Sequence, residues 1–153
     1  RAARRLVLSQ SPIPNHESRL SFSWPLRVYW EDTDAGGVVY HARYVAFLER
    51  ARSEWLRWRG IGQRTLSDAH DVVFAVRSMQ LDFLAPARLD DALDVQVEPA
   101  ETGRASLVLE QRIVRPADEK LLLTAQVKLA CLAAQTFRPR AIPPFLLSML
   151  NHQ

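Results

Sequence analysis

The chain has 153 residues, enough for one domain with a substantial core. Hydrophobic residues make up 48% and charged residues 24%, an ordinary soluble balance, and no apolar run reaches the roughly 18–20 residues that span a bilayer. The net charge of +3 does not point to nucleic acid: Arg1, Arg4, Arg5 and Arg19 against Glu17 account for it, and the rest of the chain balances sixteen basic against sixteen acidic residues, so no basic face within a fold is expected.

Residues 1–20 read as an N-terminal extension outside the fold, with residues 21–150 forming a single domain. Pro12, Pro14 and the polar residues around them favour a disordered arm. Leu6-Val7-Leu8 is too short for a secretory core and no small-residue cleavage site follows. Cys131 is the only cysteine, which excludes an intrachain disulfide and fits a cytoplasmic protein.

The first expected strand is Phe22 to Trp30, with Pro25 demoting it to an edge or a bulge. EDTDAGGVVYHARY, residues 31–44, follows. The Gly36-Gly37 pair marks a turn. A long helix is expected over about 41–59, because Tyr44, Leu48, Ala51, Trp55 and Trp58 recur at three- and four-residue steps and form one apolar stripe. Gly60 and Gly62 stop it. Four strand candidates come next: Met79 to Phe83, the run through Leu93, Val95 and Val97, residues 105–115, and Leu123 to Cys131. Their apolar residues alternate, as they do when one sheet face is buried. Phe145 to Leu150 reads as one or two helical turns. One strand, a long helix and four closely connected strands imply an α+β protein with an antiparallel sheet packed on the helix.

Asp34 opens a D-x-x-G segment just ahead of that helix. Read from the residues alone, it is either a turn carboxylate capping the helix or a reacting group that attacks a carbonyl directly or activates water. Gly36 and Gly37 either make the turn or let backbone approach a substrate. Amide groups at the helix start lack helical partners, and the dipole there favours negative charge. Glu49 is the rival carboxylate, with Arg50 and Arg52 in reach for an ion pair. His16, His70 and His152 show no metal-ligand spacing, so no metal is expected. No G-x-S-x-G elbow or glycine-rich phosphate loop occurs.

RVYWEDTDAGGVVYHARY, FLERARSEWLR, FLAPARLDDALDVQVE and RPRAIP together resemble the 4-hydroxybenzoyl-CoA thioesterase family of hot-dog proteins. The resemblance covers about residues 22–145 and is strongest to the YbgC-type branch encoded beside the bacterial Tol-Pal cell-envelope genes. It implies a five-stranded antiparallel sheet wrapped around one central helix, and hydrolysis of acyl-CoA thioesters with Asp34 as nucleophile or general base. It maps the oxyanion donor to the main-chain amide of His41, whose imidazole would orient water or substrate, and leaves Tyr40 as acyl-pocket or core. Phe47 and Phe83 are candidates to narrow that pocket.

Arg104 matches a nucleotide-contacting position, although the family's run of three basic residues is here Gly103-Arg104-Ala105. Arg138 and Arg140 are further candidates for the phosphates. No resident cofactor is implied, since coenzyme A arrives as part of the substrate. Homodimers pairing into homotetramers are implied, and an acyl carrier protein is an alternative source of the thioester. The competing functions are a dehydratase or hydratase of the same fold and a non-catalytic acyl-carrier or envelope-linked scaffold.

Overall fold

The computed structural model describes residues 22–151. The expected extension, residues 1–20, lies outside them. The strands are β1 (Phe22–Arg27), β2 (Val73–Phe83), β3 (Ala92–Thr102), β4 (Ser106–Arg115) and β5 (Lys120–Leu132). They form one antiparallel sheet in the order β1-β3-β4-β5-β2. β1 and β2 are therefore its edges, and Pro25, which has no N–H to give a ladder, sits on one of them as expected.

The long helix α1 spans Arg43–Trp58. It buries Tyr44, Phe47, Leu48, Ala51, Trp55 and Leu56 and packs on β1 and β3. Full burial of side chains as large as Trp55, Phe47 and Leu48 stabilises a fold by about 1.5–3 kcal/mol each. Across from them, Leu93, Val95 and Val97 on β3, Leu107, Leu109 and Ile113 on β4, and Leu123, Val127 and Cys131 on β5 point into the same core. A sheet curved around a single helix in this way is the hot-dog fold. No helix among the described residues is long and apolar enough to cross a membrane.

Three boundaries and one residue of the helical stripe differ from expectation, each for a local reason. α1 begins at Arg43 rather than near residue 41, because Tyr40 to Ala42 form a turn first and Arg43 N–H donates to Tyr40 O (2.8 Å). Trp58 leaves the buried stripe: it is 52% exposed, and its ring lies 5.6 Å from that of Phe22. β1 ends at Arg27, and the segment expected to extend it becomes a 3-10 turn at Trp30–Asp32. β2 starts six residues before Met79, through a stretch of half-buried and exposed residues that carries a bulge between Val76 and Ser78 and hides the two-residue period.

Two short helices complete the fold. α2 (Gln63–His70) was not anticipated; Leu66 is its one buried residue, too little for a periodic signal. α3 (Pro144–Asn151) fulfils the expected C-terminal turns and buries Leu146 and Leu150.

Candidate active site

The EDTDAGG segment folds back on itself between β1 and α1. Thr33 and Val39 form an antiparallel bridge, Asp34 N–H donates to Val38 O (2.9 Å), and Gly37 N–H donates to Asp34 O (3.0 Å). Gly37 adopts φ 77°, the left-handed conformation that favours glycine. Gly36 contributes its amide, which donates to Asp34 Oδ1 at 2.8 Å. Asp34 is exposed, and that amide is the hydrogen-bond partner of its side chain. The loop thus presents a carboxylate to solvent with one oxygen held and the other open.

Beyond Val39 the chain crosses to the β2–β3 connection. Val39 N–H donates to Ala87 O (2.9 Å), Val38 bridges Arg88, and Ala87 N–H donates to the Tyr44 hydroxyl (3.0 Å). These contacts enclose an open cleft of about 310 Å³ lined by Val39, His41, Tyr44, Phe83, Leu84, Ala85 and Pro86. The lining is apolar apart from the Tyr44 hydroxyl and the His41 imidazole. Burial pushes the Tyr44 phenol above its usual pKa, and Asp91 and Asp34 add to that rise, while the Ala87 amide and Arg115 oppose it.

The start of α1 faces the same region. Ala42 occupies the cap position without a side-chain cap bond. Among the described residues, the His41 and Ala42 N–H groups donate to no protein acceptor, so both remain available to an anion. The His41 ring is exposed and meets Tyr40 edge to face at 4.6 Å.

Asp34, Gly36, Gly37, Tyr40 and His41 thus share one loop, with Tyr40 exposed and outside the cleft lining. Glu49 lies farther along α1. Among the described residues Glu49 makes no salt bridge with Arg50 or Arg52: its Oε1 accepts from Ser53 Oγ (2.8 Å), and Arg52 turns inward, where Nη1 donates to Gln111 Oε1 (3.0 Å). Arg104 and Arg138 are exposed at the opposite end of the sheet. There Arg104 O accepts from Ile142 N–H and Arg138 O from Ala133 N–H (both 2.8 Å). The length of β4, about 30 Å at 3.3 Å per residue, separates them from Asp34 within one chain. Among the described residues no His, Cys, Asp and Glu group of three or more could hold a metal ion.

Two residues that the sequence reading passed over belong to this corner. Tyr44 looked like plain core, yet its hydroxyl joins α1 to the cleft wall. Asp32 was overshadowed by Asp34, yet it is the buried acid of the pair. The signal for it was available: α1 opens on Arg43 with no acid in its first turn, so an acid from outside the helix was to be sought.

Residues 28–150 match the family model described as the thioesterase-like superfamily. The chain belongs to that superfamily. A relative in this family, the acyl-CoA thioester hydrolase YbgC of Escherichia coli, is 50% identical over 127 residues, covering 83% of this chain and 93% of the relative. The acyl-CoA thioesterase YbgC of Haemophilus influenzae is 44% identical over 131 residues, covering 86% and 95%. Among solved structures, a probable thioesterase from Bartonella henselae superposes with a TM-score of 0.76 at 36% identity, covering 80% of this chain and 99% of that one. The kinship read from the motifs is borne out.

Proposed function

We propose that this protein hydrolyses acyl-CoA thioesters, with Asp34 as the reacting carboxylate and the His41 and Ala42 amides as the oxyanion site. The observation that carries the reading is the exposed Asp34 carboxylate, held by the Gly36 amide, on the same loop whose Val39 and His41 line an apolar cleft. The cleft suits an acyl group. The amides at the start of α1 suit the negative charge that develops on the thioester oxygen, and one such donor typically contributes about 2.7–4 kcal/mol to a transition state.

Two routes fit this arrangement. In one, an Asp34 oxygen bonds the carbonyl carbon, the C–S bond breaks, the thiolate departs and takes a proton from solvent, and water opens the resulting anhydride. In the other, Asp34 takes a proton from water as that water attacks. In this reading the His41 imidazole, which lines the cleft, orients the water or the acyl group. No resident cofactor enters either route, because coenzyme A comes and goes with the substrate.

The working unit in this reading is a homodimer, pairing further into a homotetramer. β2 offers eleven residues of open sheet edge, and Phe83 and Leu84 at its end are exposed apolar residues on the rim of the cleft. Antiparallel pairing of two β2 edges about a twofold axis brings the Arg104 and Arg138 end of a second copy alongside the Asp34 end of the first. Arginines too distant within one chain would then reach the phosphates of coenzyme A. Sedimentation equilibrium checks this, and a monomer under assay conditions would overturn it. A cytoplasmic setting, a link to Tol-Pal and the use of acyl carrier protein thioesters are carried over by kinship alone.

The test is thiol release from short, long and aromatic acyl-CoA esters by wild type and Asp34→Asn. Loss of about a hundredfold or more in kcat for a folded variant is expected, the scale of a positioned acid–base group. Wild-type rates in Asp34→Asn would remove Asp34 and turn attention to Glu49. A wild type without thiol release on any ester, carrier-protein thioesters included, would favour the scaffold.

A further inference from the structure

The loop that presents Asp34 holds a second acid that the chemistry above leaves unused. Asp32 is only 4% exposed, and all three of its oxygens are engaged. Oδ2 accepts from Tyr29 N–H at 2.8 Å. Oδ1 accepts from both Arg43 Nε (2.9 Å) and Arg43 Nη2 (2.7 Å). The main-chain oxygen accepts from Tyr40 N–H at 2.9 Å. The partners come from three places: the chain leaving β1, the stretch after the two glycines, and the first residue of α1.

The carboxylate bonds to Tyr29 and Arg43 are not needed to close the loop, which the Thr33–Val39 bridge does with its own bonds, Tyr40 N–H to Asp32 O among them. What those bonds do not do is connect the loop to the helix. The Asp34 side chain reaches only Gly36, two residues away. The oxyanion amides lie on the far side of Tyr40, and Asp32 joins the two sides. Arg43 also occupies an electrostatically poor position, because a cation at the first residue of a helix opposes the helix dipole. α1 has no acid in its first turn to offset it. The partly buried, two-donor contact with Asp32 supplies that charge from outside the helix.

We propose that Asp32 is a positioning residue for the reaction: by holding Tyr29 and Arg43 together through its carboxylate it sets the distance between the Asp34 carboxylate and the amides at the start of α1. The proposal rests on Asp34 being the reacting carboxylate. It assigns Arg43 the complementary half of the same device. A misplacement of about 1 Å between reacting groups can cost on the order of a hundredfold in rate, whereas the binding of the acyl and nucleotide parts of the substrate does not pass through this contact.

The experiment compares Asp32→Asn, Arg43→Met, their combination, Arg43→Lys and Asp34→Asn in full-length protein. The readouts are kcat and KM for one acyl-CoA ester and the melting temperature. For Asp32→Asn and Arg43→Met, kcat is expected to fall about tenfold to a hundredfold with KM within about threefold of wild type. The double variant should be no slower than the worse single one, because the two residues act as a unit, and Arg43→Lys should recover part of the rate. Wild-type kcat per folded molecule in Asp32→Asn, or a rate that falls only as far as the folded fraction falls, would overturn the proposal. If Asp32→Asn does not fold, Arg43→Met and Arg43→Lys decide by the same criteria. Asp34→Asn separates the two ideas: if it retains activity, the underlying reading fails; if it is inactive while Asp32→Asn is unaffected, only the positioning role fails.

Discussion

Gln111 is the one polar residue among the inward-pointing side chains of β4, and replacing it tests how the core tolerates a charge. The residue is 1% exposed and Arg52 is 7% exposed. Gln111 Oε1 accepts from Arg52 Nη1 (3.0 Å), and Gln111 Nε2 donates to Leu48 O (3.1 Å). Burial holds the Arg52 guanidinium below its usual pKa, with Glu49 pulling the other way. Gln111→Leu keeps the approximate volume but removes the side-chain oxygen that accepts from that guanidinium. A hydrogen bond to a charged group contributes about 1.5–3 kcal/mol, and a buried charge left without its partner costs about 3–5 kcal/mol.

The added apolar burial offsets a fraction of this, so a net loss of about 2–4 kcal/mol is expected. At this chain length that corresponds to a melting temperature lower by about 5–15 °C. The assay is urea unfolding followed by tryptophan fluorescence, to which the buried Trp55 contributes, at one fixed protein concentration. Adding Arg52→Met removes the stranded charge and should return most of the loss. A single variant within about 0.5 kcal/mol of wild type, or a double variant less stable than the single, would refute the reasoning.

Two further outcomes follow from the same geometry. Gly36 and Gly37 should fail differently as alanine: a Cβ at Gly36 would sit 3.1 Å from Asp34 Oδ1, whereas one at Gly37 meets nothing within 4 Å but must accept φ 77°. Gly36→Ala should therefore lower kcat several-fold, on the order of tenfold, at nearly unchanged stability. Gly37→Ala should cost about 1–2 kcal/mol in urea unfolding. At alkaline pH, burial is the first cause of the raised pKa of both the Tyr44 phenol and the Cys131 thiol, above ordinary values of 10.0 and 9.0. Their neutral forms are favoured in the folded state, so their contribution to stability is intact below pH 9 and is lost as pH rises through the folded values. Unfolding free energy should decline from about pH 9 upward; Cys131→Ala should remove the lower part of that decline, and an unchanged profile would contradict the assignment.

The parts of the fold legible in the sequence were those with a strong period. Tyr44, Leu48, Ala51 and Trp55 specify α1 because one helical face is fully buried, and Leu93, Val95 and Val97 specify β3 because one sheet face is. Where burial is partial the period blurs: β2 before Met79 and α2 around Leu66 carry too few buried residues to signal themselves. Trp58 misleads because its spacing fits the stripe while at the last residue of α1 it meets the start of β1, at Phe22, and stays half-exposed. The strand order, with β2 paired to β5 instead of β3, depends on long-range closure that no local pattern encodes. Among the site residues, the loop motif concentrated Asp34, Gly36, Gly37, Tyr40 and His41 in one place. Asp32 and Gln111 escaped notice because their importance lies in partners eleven and fifty-nine positions away.

The two margins of the sheet are unlike. One is β1, six residues interrupted by Pro25; the other is β2, eleven residues with no proline. A strand lacking an N–H in its middle is a poor template for further pairing, while a long uninterrupted one is a good template. Growth by addition of strands is thus possible in one direction only. Two copies joined through their open margins would display nothing but proline-bearing ones, and accretion would stop there. Pro25 is remote from the cleft, yet it would make the difference between a closed particle of fixed size and a fibre.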